Sequence, residues 1–378
     1  MRTIREIPVF ENIPILVRAA LNVPLKEGHV TNPFRLLRAL PTIEFLAERH
    51  ARVILAGHIG EKGTETLVPV YETLKRYIPQ LSFCPVSVGP EARKAVHDLP
   101  PGGVLMLENL RRNVGEVKND KKFAAELASL ADVFVEDSFD VCHRAHASVV
   151  SVPEFLPPYA GLLVEEEVQQ LQKALHPRTP SLAIVGGAKF ATKQPVLKRL
   201  VELYDQVFVG GALANDFMRV AGHPVGMSLV SDAAIHEIQT LLKNPKILLP
   251  KDYVVAPHGA SREAGRIAGI DDVQDGEAIL DDGPETIAML APYIRNAKTL
   301  LWNGTLGNYE NGFVEGTEAL AKVIAEAQGY SVIGGGDTVA AIEKLGLNDQ
   351  FSFVSTGGGA MLDFLAKGTL PGLEALER

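Results

Sequence analysis

The sequence predicts an α/β protein of two Rossmann-like domains with parallel sheets, joined by an interdomain helix and hinge. Three observations predict it. At 378 residues the chain exceeds what one hydrophobic core usually serves. Short β-rich runs alternate with longer amphipathic ones, lapse in a proline-broken connector, and resume near Ser181. In that second stretch the β-rich runs end directly in glycine clusters.

The elements follow in order. In the first half IPILVRAAL, RVILAGH and GGVLMLEN read as strands, with PFRLLRALPTIEFLAERH and TLVPVYETLKRYI as amphipathic helices between them. The connector VPEFLPPYAGLLVEEEVQQLQKAL begins with prolines and ends as a charged helical stretch, the expected interdomain helix, with the boundary near Tyr159 to Leu171. In the second half SLAIVGGA, QVFVGGA, KILLPKDYVVA, KTLLWNG, YSVIGGGD and FSFVSTGGG read as strands, with KQPVLKRLVELY and TEALAKVIAEAQ as helices. The boundaries expected are 1–160, 161–362, and a tail over 363–378 that packs back on the first domain. No short internal repeat is present, which sets solenoids aside.

Composition narrows the function. A net charge of −9 argues against nucleic acid as a partner, although an acidic protein can still focus a few arginines into one cleft. Two widely separated cysteines, Cys84 and Cys142, fit neither a disulfide framework nor a zinc spacing. No apolar run approaches the roughly 18 residues of a membrane span, and the N-terminal residues carry acids and prolines where a signal peptide needs an apolar segment. The expectation is a cytoplasmic protein, a monomer without membrane association.

Glycine at a strand's carboxyl end lets backbone N–H groups approach phosphate before a helix N-terminus. Four such clusters stand in the second half: VGGAK, VGGAL, IGGGDT and STGGGA. None forms a P-loop or a complete dinucleotide fingerprint, which removes the main support for a nicotinamide dehydrogenase. Lys189 and Lys193 lie one helical turn apart, and Asp337 follows a glycine loop as a magnesium-ligating carboxylate would. The alternative is a solvated lysine face and an aspartate helix cap. In the first half Arg18, Arg35, Arg111 and Arg144, with His58, His143 and His146, make sense together as a basic cleft for a small anion.

The pieces LNVP, LENLR, HRAHAS, GGAK, WNG, GGGDT and STGGGA stand in one order along nearly the whole chain, and together they closely resemble phosphoglycerate kinase. The resemblance implies 3-phosphoglycerate on the first domain, magnesium nucleotide (ADP or ATP) on the second, and reversible phosphoryl transfer from 1,3-bisphosphoglycerate to ADP. It places Asn22, Arg35, His58, Arg111 and Arg144 at substrate-binding positions. Lys193, Gly210, Gly211, Asn303, Glu310, Gly335, Gly336, Asp337 and Thr338 fall at nucleotide positions, with Glu310 expected at the ribose and Asp337 at Mg2+. Arg35, Lys189 and Lys193 fall at catalytic positions around the transferring group. Such a reaction asks for positioned positive charge rather than a protein nucleophile.

Three substrate-side positions depart from the family pattern. Ala20 stands where the pattern has an aspartate that holds a substrate hydroxyl, Glu61 where it has arginine, and Asp140 where it has glycine. These changes leave an anion site about two charges more negative, and at an effective dielectric near 20 a unit charge about 6 Å away is worth roughly 3 kcal/mol before screening. Weakened phosphoglycerate binding is the expectation. Two further readings stay open: a related kinase acting on another small carboxylate, and a non-catalytic nucleotide-binding homologue.

Overall fold

The computed structural model describes residues 1–188, 190–231 and 235–377. The chain falls into two compact units, Met1–Gln169 with Thr369–Arg378, and Gln170–Gly368. The first division lies within the connector helix Leu162–Leu175, later than the 160/161 boundary read from sequence, because the helix continues unbroken past the prolines. The tail that groups with the first unit starts at Thr369, since 363–367 continue the helix Gly359–Lys367.

The first unit is built on six parallel strands: β1 (Pro14–Ala19), β2 (Arg52–Ala56), β3 (Leu81–Cys84), β4 (Val104–Leu107), β5 (Val133–Asp137) and β6 (Pro158–Ala160), in the order β3-β4-β2-β1-β5-β6. A central strand of a parallel sheet is covered on both faces and so reads as an unbroken apolar run. β1 does so, and all six of its residues are buried. The helix Phe34–Ala47 packs Leu36, Ile43 and Leu46 onto this sheet, into one core with Val17, Val53 and Leu55. It accommodates Pro41 in its interior, and its start is fixed by the Asn32 side chain, whose Oδ1 accepts from the Phe34 N–H at 2.8 Å. Strands β3, β5 and β6 had no clear signal in the sequence.

The second unit repeats the plan with β7 (Ser181–Val185), β8 (Gln206–Val209) and β9 (Ile247–Leu248), and, further along the chain, β13 (Thr299–Asn303), β14 (Tyr330–Gly334) and β15 (Phe353–Val354), in the order β9-β8-β7-β13-β14-β15. One expected strand is corrected. KILLPKDYVVA divides at Pro250, which has no N–H to give a ladder, and only Ile247–Leu248 joins the parallel sheet. The remainder forms β10 (Asp252–Pro257), the centre of a separate antiparallel sheet between β11 (Arg266–Gly269) and β12 (Glu277–Asp282). Among the described residues no helix is long and apolar enough to cross a membrane.

At the carboxyl ends of β7 and β13 two backbones touch. Gly304 has φ +100°, and a Cβ there would sit 2.4 Å from the Gly186 carbonyl oxygen, a backbone atom one residue past β7. Gly304→Ala should therefore cost more than about 2 kcal/mol, through both the left-handed backbone and the forced separation. Urea unfolding of the two proteins measures this, and equal midpoints would mean that the strands part freely.

Candidate active site

The carboxyl end of β1 carries a charge into the core. Arg18 is 1% exposed, and its guanidinium is held on all sides. Nε donates to Ser148 Oγ at 3.0 Å, Nη1 to the Ala19 carbonyl at 2.9 Å and to Ser138 Oγ at 3.4 Å, and Nη2 lies 2.9 Å from His58 Nδ1. Ser148 Oγ in turn donates to Glu116 Oε1 (2.6 Å), and Ser138 Oγ to Asp140 Oδ1 (2.6 Å). The parallel register pairs Arg18 with Ala56 of β2 and Glu136 of β5, so these loops all leave the same edge of the sheet.

Around this hub the other cations gather. Arg35 donates from Nη1 to the Asn22 carbonyl at 2.9 Å and stands 3.9 Å from Asp140 Oδ2. Asn22 Oδ1 accepts the Gly60 N–H at 3.1 Å, and Arg111 donates to the Gly60 carbonyl at 2.6 Å. Burial, then Arg144 and Arg18, lower the pKa of Arg111, while Glu116 and Glu61 work against them. Burial, then Arg18 and Arg111, drive His58 far below the usual imidazole range, and burial with Arg111, Arg18 and Arg144 holds His146 down at about 4. The edge is thus positive and rich in donors even with its imidazoles neutral, a setting for a multiply charged anion.

The second unit offers a different edge. A cavity of about 460 Å³ is lined by Gly187, Gly211, Leu306, Glu310 and Asp337, with the exposed apolar side chains Met227 and Leu229 on its rim. The helix Gly336–Lys344 begins here behind Gly335, whose φ of +100° turns the chain, and its first-turn N–H groups and the exposed Asp337 stand at this edge. Lys193 is nine-tenths buried, donates to Asn303 Oδ1 at 3.1 Å, and has its pKa lowered to about 8 by burial while Asp337 pulls it up.

The glycine clusters are not equivalent. The N–H groups of Gly186 and Gly187 are taken by the Asn303 and Thr305 carbonyls, that of Gly210 by Val185, and that of Gly211 by Asp282 Oδ2 at 3.2 Å. These glycines serve close backbone packing, although Gly211 also starts the helix Ala212–Ala221 at the cavity, and IGGGDT opens the helix Gly336–Lys344 with Asp337 in its first turn. Asn303 and Thr338 are buried and committed to Lys193 and to the Gly304 N–H (3.0 Å), so both hold the edge in place from beneath. Lys189 lies outside the described residues. Ser138, Ser148, Glu116 and Asp282 carried no signal in the sequence, because a buried polar partner looks like any loop serine or acid until its contacts are known.

Two parallel sheets, one with cations gathered at its strand ends and one with a helix N-terminus, a buried lysine and an exposed carboxylate, define a nucleotide-using phosphotransferase. A family model described as phosphoglycerate kinase matches residues 4–368. The phosphoglycerate kinase of Moorella thermoacetica is 43% identical over 381 residues, spanning 97% of this chain and 96% of that one. Of solved structures, phosphoglycerate kinase from Coxiella burnetii matches with a TM-score of 0.84 at 36% identity, over 99% of this chain and 98% of that one. Phosphoglycerate kinase from Pyrococcus horikoshii matches with a TM-score of 0.91 at 29% identity, over 100% and 98%. This chain belongs to the phosphoglycerate kinase family.

The depressed imidazoles make stability depend on pH. His146 stays neutral in the folded protein down to about 4, whereas in the unfolded chain it takes a proton below the ordinary imidazole value of 6.5. Between these values the unfolded state binds more protons, so stability is full above pH 6.5 and is lost as pH falls toward 4. His58 acts in the same direction. The unfolding free energy from urea titrations at several pH values in this window should fall with acid, and His146→Gln should flatten the slope. Parallel curves would show that His146 is as free to protonate folded as unfolded.

Proposed function

We propose that the chain catalyses reversible phosphoryl transfer between 1,3-bisphosphoglycerate and ADP, giving 3-phosphoglycerate and ATP, with the acid on the arginine edge of the first unit and the nucleotide on the glycine edge of the second. The observation that carries the residue assignment is the chemical difference between the two edges. Phosphoglycerate is a small, densely charged anion, and a surface of arginines around neutral imidazoles suits it. A nucleotide adds an apolar base and a ribose to its phosphates, and only the second edge combines an apolar rim, a carboxylate at Glu310, and a lysine beside a helix N-terminus.

In this reading Asn22, Arg35, His58, Arg111 and Arg144 hold the acid, His58 and Asn22 partly by fixing their neighbours. Gly211 and Leu306 face the base, Glu310 the ribose hydroxyls, and Gly335, Gly336 and Lys193 the phosphates. Gly210, Asn303 and Thr338 support them. Arg35 and Lys193, together with Lys189, supply the positive charge that offsets the charge of the transferring group. Mg2+ needs only one or two carboxylates when phosphate oxygens and water complete its octahedron. The exposed Asp337 at the cavity fits that demand, and the ion would neutralise phosphate charge there. The soluble small-molecule substrates suit a cytoplasmic protein working as a monomer.

Calorimetry separates the two edges. Lys193→Ala and Asp337→Ala should each weaken magnesium-ADP binding by about 10- to 100-fold, the worth of a charged contact, and leave 3-phosphoglycerate binding unchanged. Wild-type nucleotide affinity in both variants would remove these residues from the site. Arg35→Ala should lower kcat more than it changes nucleotide affinity, because its contribution grows as charge moves in the transition state. An unchanged kcat would exclude Arg35 from catalysis.

A further inference from the structure

Asp140 is a carboxylate placed among cations that are set to receive an anion. It follows β5 in a single turn of 3₁₀-helix, Phe139–Val141, and is 8% exposed. Ser138 Oγ donates to its Oδ1 at 2.6 Å, whereas the contact of its Oδ2 with Arg35 Nη1 spans 3.9 Å, beyond hydrogen-bond length. A negative charge here opposes the binding of any anion, so its presence calls for something that only an acceptor can do.

Phosphoglycerate supplies that need, because beside its carboxylate and phosphate it carries one hydroxyl. The phosphate and carboxylate require donors, which the edge has in excess. The hydroxyl is recognised best by an acceptor, and guanidinium groups have none. Of the neighbouring acceptors, the Glu65 carboxylate lies against Gly60, on the Arg111 side of the edge, and accepts from Thr64 Oγ1 at 3.2 Å, and the others are taken. His58 Nδ1 faces Arg18, Asn22 Oδ1 receives Gly60, and Glu116 receives both the N–H and the hydroxyl of Ser148. Glu136 is fully enclosed behind the edge. Glu61 is exposed on the loop beside Arg111.

We infer that Asp140 is the specificity-determining residue for the acid, its Oδ2 accepting the substrate hydroxyl while Ser138 holds Oδ1. The inference rests on placing phosphoglycerate at the arginine edge. It also gives the relocated charge a purpose. β1 and β5 are adjacent and parallel, with Ala19 paired to Asp137, so residues 20 and 140 leave neighbouring strands at the same end of the sheet. A carboxylate absent at position 20 is supplied from the next strand over.

The test compares 3-phosphoglycerate with 3-phosphooxypropanoate, the same acid without the hydroxyl, by kcat/KM in wild type, Asp140→Asn, Asp140→Ala and Glu61→Gln. Wild type should prefer the hydroxylated acid by about 10- to 100-fold, the range for a hydrogen bond to a charged group. Asp140→Ala should collapse that preference toward unity, largely by losing activity on the hydroxylated acid, and Asp140→Asn should leave it intermediate. Glu61→Gln should keep it. If Asp140 instead serves only as a counter-ion to Arg35, both acids will gain or lose by one factor in Asp140→Ala and the preference will survive, which overturns the inference. Collapse of the preference in Glu61→Gln assigns the hydroxyl to Glu61 and also overturns it. A urea-unfolding transition of the first unit equal to wild type certifies that the variants are folded there, with Asp140→Asn, which retains an acceptor for Ser138, as the gentler replacement. Arg111→Ala should raise KM for both acids alike. If it changes neither, the acid does not sit on this edge, and the placement falls together with the inference.

Discussion

Burying the guanidinium of Arg18 is the constraint from which the first unit's site follows. A charge removed from water must be answered by hydrogen bonds in its own plane, and the cost of leaving any donor unpaired is several times the gain from a typical exposed contact. Arg18 answers it with Ser138 and Ser148 from the segments after β5 and with His58 from the loop after β2. Two points of the β5–β6 connection and the loop after β2 are therefore fixed to one another by a single planar group. That rigidity is transmitted outward, since Ser148 orients Glu116, and Ser138 orients Asp140. The same charge leaves its mark beneath. Burial pushes the Glu136 carboxyl well above its ordinary range even though Arg18 pulls it down.

The second unit reaches its rigidity without a buried charge hub. There the strand ends approach until Gly186 and Gly304 touch backbone to backbone, and the N–H groups of the VGGA turns are spent inside the protein. Asp282 extends this by accepting the Gly211 N–H, at the cost of a carboxyl that burial and the adjacent Asp281 drive well above its usual range. What this edge offers a ligand is the helix N-termini behind Gly211 and Gly335, Lys193 in its desolvated position, and the exposed Asp337. A lysine with its pKa lowered to about 8 is still mostly an ammonium at neutral pH, and the low-dielectric surroundings that lower it also strengthen its attraction for phosphate.

Much of this was legible before any coordinates. The parallel sheets were readable because central strands such as Ile15–Val17 and Leu182–Val185 are apolar without alternation, and candidate site residues could be picked out where charged and glycine-rich runs follow those strands. Strands β3 and β6 were not, since LSFC and PYA are short and compositionally ordinary, and β10 was misread because β-branched residues flank Pro250 on both sides. The glycine clusters misled more subtly. Composition cannot tell a glycine that admits phosphate from one that admits a neighbouring strand: the N–H groups of Gly186 and Gly187 are spent on the Asn303 and Thr305 carbonyls, whereas IGGGDT sets the exposed Asp337 in the first turn of its helix.

The charge count along the acceptor edge also changes meaning once positions are known. Read from sequence, Ala20, Glu61 and Asp140 add up to a weaker anion site, each charge weighted alike. In the fold they are unequal. Glu61 is exposed, so water and salt screen it, and its influence falls chiefly on Arg111. Asp140 is enclosed between Ser138 and Arg35, where a charge acts at nearly full strength on whatever lies beside it. Burial first, and then the charges of Arg144 and Arg18, lower the pKa of Arg111, so the cations of this cluster destabilise one another. An enclosed carboxylate offsets this in the free protein, and an incoming anion must compete with it for Arg35. Unless the carboxylate also bonds the ligand, relief of the empty site and affinity for the filled one are in direct opposition. A hydroxyl on the ligand reconciles them, because the same oxygen that restrains Arg35 in the free protein can accept a proton-bearing group in the complex.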